Sequence, residues 1–152
     1  MPGENSSPRE IISTRVFDFP RESVFHAWSN PVLLAQWWGP NGFSNTFHEF
    51  DFTPAGNWKL TMHGPDGTDY PNESIFEEII EPEKIVFIHL RPMHKFQVTA
   101  TFENSGEMTK LVFSMLFDSL EECEKVKSYV LEANEQNFDR LENVLIKNPI
   151  TK

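Results

Sequence analysis

The feature that most restricts what this chain can fold into is a change of hydrophobic period near residue 119. Between Phe43 and Phe117 apolar residues recur at every second position. Examples are Trp58, Leu60 and Met62, then Phe96, Val98, Ala100 and Phe102, then Leu111, Phe113, Met115 and Phe117. This is the period of strands with one buried face. Beyond Ser119 the period becomes helical. Val126, Val130, Ala133, Asn137, Leu141 and Val144 fall on one stripe, flanked by Asn134, Phe138 and Leu145. Ser119-Leu120-Glu121-Glu122 is a capping box, with Ser at the N-cap and Glu at N3. No Pro or Gly follows until Asn148-Pro149. The result is one helix of about 40 Å, at roughly 1.5 Å per residue.

The chain before the strands carries its own signals. Ile11, Ile12, Val16, Phe17 and Phe19 form a β-rich run. Pro20 suits a first helical position, and Val24, Phe25 and Trp28 then share one helix face. Asn30-Pro31 repeats the start signal, and Gly39-Pro40 stops the second short helix after Trp37 and Trp38. Pro65-Asp66-Gly67, Glu81-Pro82-Glu83, Arg91-Pro92-Met93 and Asn104-Ser105-Gly106 separate the strands. Short turns between consecutive strands mean an antiparallel meander. The layout is therefore α+β, in the order β-α-α-β6-α. A curved antiparallel seven-stranded sheet wraps on the long C-terminal helix. A sheet that bends away from a helix leaves space between them. The 14 Phe can fill that space or line it as a ligand pocket.

Composition narrows the classes. The 152 residues make one domain, spanning 10–148, after a flexible leader at 1–9 and before a short tail at 149–152. A formal charge of −10 argues against nucleic acid and against anionic membrane. One Cys excludes an intrachain disulfide framework. No apolar run reaches the roughly 18 residues of a membrane span, so no membrane insertion is expected. The N-terminus lacks a basic-then-apolar signal pattern. The expectation is a cytoplasmic protein, monomeric or weakly dimeric.

The stretch Arg15 to Pro40, RVFDFPRESVFHAWSNPVLLAQWWGP, resembles the opening of the homologues of the activator of the heat-shock-protein-90 ATPase. The likeness continues through PAGNWKLTMHGPDG (Pro54 to Gly67), EIIEPEKIVF (Glu78 to Phe87) and NEQNFDRLENVL (Asn134 to Leu145). That family belongs to the START-like, pollen-allergen-like SRPBCC superfamily. The resemblance implies a helix-grip fold. It also implies a cavity of the kind that holds lipids, sterols or other apolar ligands in relatives, some of which catalyse aromatic polyketide cyclisation. The namesake domain is part of a larger co-chaperone with a separate N-terminal domain, not found in this sequence. Three positions depart from the family pattern. Ala55-Gly56 stands for a common Gly pair, Ser74 for a Gly before the fourth strand, and Asn137-Phe138 for a Gly-Trp in the last helix.

The leading functional expectation is a protein that holds an apolar or aromatic, lipid-like small molecule between sheet and helix. Strand parity nominates Trp58, Leu60, Met62, Phe87, His89, Phe113 and Met115 as lining. The helix stripe adds Asn134, Asn137 and Phe138, and Trp38 stands near the entrance. The parity of the second and fourth strands is ambiguous, because Phe47 and Phe50, like Ile75 and Phe76, alternate onto opposite faces. A second reading is a cyclase- or dehydratase-type enzyme, with His89 as its one candidate catalytic group. A third is a chaperone-accessory or other partner-binding module. None of the five His has a paired spacing for a metal, so neither a metal nor a cofactor is expected. His63 is out of phase with Leu60 and Met62 and should face solvent. Glu49, Asp51, Glu77 and Glu78 read as surface charge. Cys123 is no nucleophile, because Glu121, Glu122 and Glu124 surround it.

Overall fold

The computed structural model describes residues 8–91 and 95–148. β1 (Glu10–Phe17) leads into two short helices, α1 (Arg21–Ser29) and α2 (Pro31–Trp37). Six strands follow: β2 (Ser44–Phe50), β3 (Asn57–His63), β4 (Asp69–Ile80), β5 (Lys84–Arg91), β6 (Phe96–Ser105) and β7 (Met108–Phe117). α3 (Leu120–Lys147) closes the chain. The sheet order is β1-β7-β6-β5-β4-β3-β2, with every neighbouring pair antiparallel. This is the expected α+β helix-grip architecture. Most of the leader, the tail and the break at Pro92-Met93 lie outside the described residues. Arg9, at the leader's end, donates to the Phe117 and Asp118 carbonyls at 2.8 and 3.3 Å.

The helix starts form where side chains satisfy the free backbone N–H groups. Asn30 Oδ1 accepts from the Val32 and Leu33 amides at 2.9 and 3.3 Å. Ser119 Oγ accepts from the Glu122 amide at 3.2 Å. Gly39 follows α2 at a φ of +99°, the left-handed conformation that ends a helix most easily without a Cβ.

Three bulges bend the β2–β5 half of the sheet and resolve the ambiguous parities. In β2 the register shifts between Phe47 and Glu49, so Phe47 pairs with Leu60 and Phe50 with Trp58. Both Phe rings therefore reach the inner face and contact Trp58, at 5.7 and 5.9 Å. In β4 a shift between Phe76 and Glu78 lets Phe76, opposite Phe87, and Ile79, opposite Ile85, both pack into the core. A third shift, at Glu73/Ser74, skips Leu90 of β5 and sets Glu73 opposite Arg91, next to the Ser74–His89 pair.

The core is not spread evenly along α3. Phe138, Leu141, Val144 and Leu145, in its C-terminal half, are buried. This half sits over Phe17, Phe25, Trp28, Phe102 and Phe113, a tightly ringed cluster. In the N-terminal half Cys123 is buried in the first turn, but Val126 and Val130 after it are only partly buried and Tyr129 is 65% exposed. Arg15 of β1 pins the middle of α3. Its guanidinium donates to Glu135 Oε1 at 2.9 Å and Asp139 Oδ1 at 2.8 Å, and lies 5.5 Å from the Phe138 ring centroid. Burial works to lower the Arg15 pKa, but those two carboxylates outweigh it and the net direction is upward.

Two stability predictions follow from this asymmetry and from the β2–β3 turn. Phe138→Ala should cost about 3–5 kcal/mol in urea denaturation, whereas Val130→Ala should cost about 1 kcal/mol or less, because Val130 faces space. Ala55 is the only described non-glycine residue at positive φ, +71°. Ala55→Gly should therefore raise stability by about 1 kcal/mol by relieving the left-handed strain.

Candidate functional site

The gap under the N-terminal half of α3 is a cavity of about 270 Å³. Its floor is the inner face of β3 to β7: Trp58, Leu60, Met62, Asn72, Ser74, Phe87, His89, Phe96, Met115 and Phe117. Its roof is Val126, Tyr129, Val130, Ala133, Asn134 and Asn137 of α3, and Trp38-Gly39-Pro40 closes one side. The bulges and the divergence of α3 from the sheet create the space. The Phe side chains fill the end near α1, while Trp58, Phe87, Phe96 and Phe117 wall the other.

The expected residues fall on both sides of this boundary. Trp38, Trp58, Leu60, Met62, Phe87, His89, Met115, Asn134 and Asn137 lie on the wall. Phe113 and Phe138 do not. They sit one layer deeper, 6.1 Å apart edge to face, between Trp28 and Phe17. Parity gives the face of a strand but not the depth along it. Phe113 and Phe138 share the right face but lie toward α1, where helix and sheet converge. The wall also holds side chains the sequence reading does not nominate. Phe96 and Phe117 carry the right parity, two positions from predicted residues or at a strand start. Val126, Val130 and Ala133 are on the helix stripe already. Asn72 and Ser74 alternate with Phe76 on the inner face, opposite Leu60 and Trp58, but are polar and so escape a search for apolar residues.

Two buried amides on α3 each have one of their two polar atoms engaged by the protein. Asn137 Oδ1 accepts the Gly39 N–H at 3.0 Å. Asn134 Nδ2 faces Ser13 Oγ at 3.1 Å and Met115 Sδ at 3.7 Å. The sequence leaves these amides between structural and ligand roles, and the geometry gives them both kinds of atom. His89 is 9% exposed and stacks on Phe96 at 4.5 Å and 18°. The indole N–H of Trp58 is buried without a partner among the described residues, a donor that a bound acceptor would satisfy.

The segment that closes the cavity's side is held by a residue the sequence does not single out. Arg140 of α3 donates to five backbone carbonyls: Gln36, Trp38, Gly39, Pro40 and Phe43. Those distances run from 2.7 Å to Gly39 to 3.3 Å to Trp38. Gln136 Oε1 accepts the Asn41 N–H at 3.0 Å. Burial lowers the Arg140 pKa. A guanidinium has five N–H donors and no acceptor, so a cluster of carbonyl oxygens is its natural complement. Within the wall this clamp fixes Trp38, whose ring lies 5.0 Å from Trp58 and 6.1 Å from Phe87. Its neighbour Trp37 is core, 1% exposed, and donates from Nε1 to the Ala27 carbonyl at 3.0 Å.

Outside the cavity the polar groups act structurally. His63 lies on the outer face, with Nδ1 2.7 Å from Asp69 Oδ1 and Nε2 2.8 Å from Thr46 Oγ1, tying β4, β3 and β2 together. Glu49 and Glu78 sit near Lys59 and Lys84, at 3.9 and 3.1 Å. Cys123 is buried, and burial pushes its thiol pKa up, away from reactivity. His94 lies outside the described residues. No helix among the described residues is long and apolar enough to cross a membrane.

A seven-stranded antiparallel sheet gripping one long helix around an apolar cavity defines a helix-grip domain, a fold of the ligand-binding type. The model of the family described as Activator of Hsp90 ATPase homolog 1-like protein matches residues 18–145, and the chain belongs to that family. Solved structures agree on the fold. A protein of Nitrosomonas europaea superposes with a TM-score of 0.86 at 16% identity, covering 94% of this chain and 97% of that one. A protein of Arthrobacter aurescens gives 0.86 at 23% identity, over 95% and 91%. The AHSA1 protein of Silicibacter pomeroyi gives 0.75 at 21% identity, over 91% and 98%. No curated protein sequence matches the chain.

The clamp yields a direct test. Arg140→Met keeps most of the apolar stem and removes all five hydrogen bonds. It should lower stability by about 2–3 kcal/mol, the scale of losing a charged donor from partly buried acceptors. It should also speed amide exchange of Gly39 and Asn41 selectively, read by hydrogen-exchange NMR. Equal exchange in both proteins would show that the segment is fixed by other contacts.

Proposed function

We propose that this protein binds a small apolar or aromatic molecule in the cavity between the sheet and the N-terminal half of α3. The observation that carries this reading is the contrast along one helix. The C-terminal half is packed solid, while the N-terminal half roofs a space of about 270 Å³ with aromatic walls and a few polar atoms. That is the usual composition of a small-molecule site. An empty core of this size would otherwise be a standing loss of packing.

The enzyme reading rests on His89, the one imidazole on the wall. The described wall carries no Lys, Arg, Asp or Glu to share acid–base work with it, and binding is the better supported function. The partner-binding reading has less behind it. The exposed large apolar side chains are spread over β1, α2, β4, β7 and α3.

Binding is checked by tryptophan fluorescence, because Trp38 and Trp58 are on the wall. A panel of neutral probes, Nile red, dodecanol and 2-naphthol, should contain at least one that gives saturable quenching. Val130→Trp, which fills the roof, should abolish that response while circular dichroism stays native. No saturable response from any probe, or a response untouched in Val130→Trp, would count against the cavity as the site.

A further inference from the structure

We infer that the ligand is an uncharged, compact aromatic molecule of one or two rings bearing one hydroxyl group, and that the cavity rejects carboxylates, fatty acids included. This rests on the binding reading above and specifies the chemistry of that same site.

No Lys, Arg, Asp or Glu side chain lies among the described residues of the wall. The two guanidiniums on either flank of α3 are already committed. Arg140 is engaged by five backbone carbonyls, and Arg15 by Glu135 and Asp139. A carboxylate entering the cavity would lose its hydration and find no Lys or Arg among the described residues of the wall, which is unfavourable. The chain's formal charge of −10 adds a long-range bias in the same direction.

Size and shape come next. A volume of about 270 Å³ lies at the small end for ligand sites. Flat faces surround it: Trp38, Trp58 and Phe87 on one side, Phe96 and Phe117 on another. A planar ring packs against such faces edge-on or offset, with gain beyond plain area burial. A long flexible chain would gain less and lose more rotational freedom.

The polar atoms specify the substituent. The Gly39 N–H can only donate, so the Asn137 atom it meets is the carbonyl oxygen, and the Asn137 NH₂ is left over. Met115 sulfur acts as an acceptor, which turns the Asn134 NH₂ toward it and leaves the Asn134 carbonyl oxygen over. Neither leftover atom has a hydrogen-bond partner among the described residues. Residues three apart on a helix share a face, so one acceptor and one donor stand together on the roof. A hydroxyl both donates and accepts, and it satisfies both. A carboxylate only accepts, and it would leave the Asn134 oxygen facing like charge.

Three naphthalenes of matched shape test this: 2-naphthol, naphthalene and 2-naphthoate, titrated by tryptophan fluorescence near neutral pH. Naphthol should bind about 10-fold more tightly than naphthalene, the value of one well-made neutral hydrogen bond. It should bind at least about 30-fold more tightly than naphthoate. In Asn134→Leu the advantage of naphthol over naphthalene should fall to about 3-fold or less while circular dichroism stays native. Met62→Lys places an ammonium at the half-buried edge of the wall and should confer naphthoate binding. Naphthoate binding as tightly as naphthol in the natural protein would overturn the inference. So would an undiminished naphthol advantage in Asn134→Leu. Binding of Nile red or dodecanol with none of the naphthalenes would overturn it while leaving the binding function standing. Silence from every compound would overturn both.

Discussion

Phe138, Leu141, Val144 and Leu145 lock the C-terminal half of α3 against the inner face of the sheet and against α1, and the rest of the molecule takes its geometry from that contact. A straight helix seated at one end cannot also follow a sheet that curves away from it. The bulges in β2, β4 and β5 increase that curvature. Between Cys123 and Phe138, both buried, the helix stands off the sheet at Val126 and Val130, and the cavity is the space left there. Burial of each large side chain contributes roughly 1.5–3 kcal/mol. The packed half thus holds the helix firmly while the open half remains sparsely supported.

α3 then works on the cavity with its polar side chains. Arg140, Asn137 and Gln136 reach across to the segment after α2 and bind its backbone rather than its side chains. Backbone groups near a pocket must be satisfied somewhere, and a loop has no ladder to satisfy them. Supplying the partners from the helix fixes the loop and the Trp38 ring together. The helix that roofs the cavity also sets the position of its side wall. Any change that tilts α3 should move both.

Much of this is legible in the sequence because period and punctuation are local signals. The switch of period at Ser119, the Asn30-Pro31 start and the Gly39-Pro40 stop each fall where an element begins or ends. Inner-face residues such as Trp58, Leu60 and Met62 follow from alternation alone. What alternation does not carry is position along a strand, which decides that Met115 faces the cavity and Phe113 the core. It also fails at bulges. One extra residue in β2 puts Phe47 and Phe50 on the same face, and one in β4 does the same for Phe76 and Ile79. Arg140 is beyond such reading altogether. Its partners are main-chain oxygens of a loop about a hundred residues away, and main-chain atoms leave no mark in a sequence.

Membership of a family names a fold more firmly than an activity, since one fold hosts many functions. The cavity wall adds two asparagines, Asn134 and Asn137, and among the described residues no Lys, Arg, Asp or Glu. Whether real space lies beneath the open half of α3 is measured most directly by diffraction from crystals under xenon pressure, because a dry apolar cavity takes up xenon and a filled core does not. Xenon density between Val130 and Leu60 is the expected result. A fully packed interior there, with no xenon, would contradict the helix-and-sheet geometry from which the function is inferred.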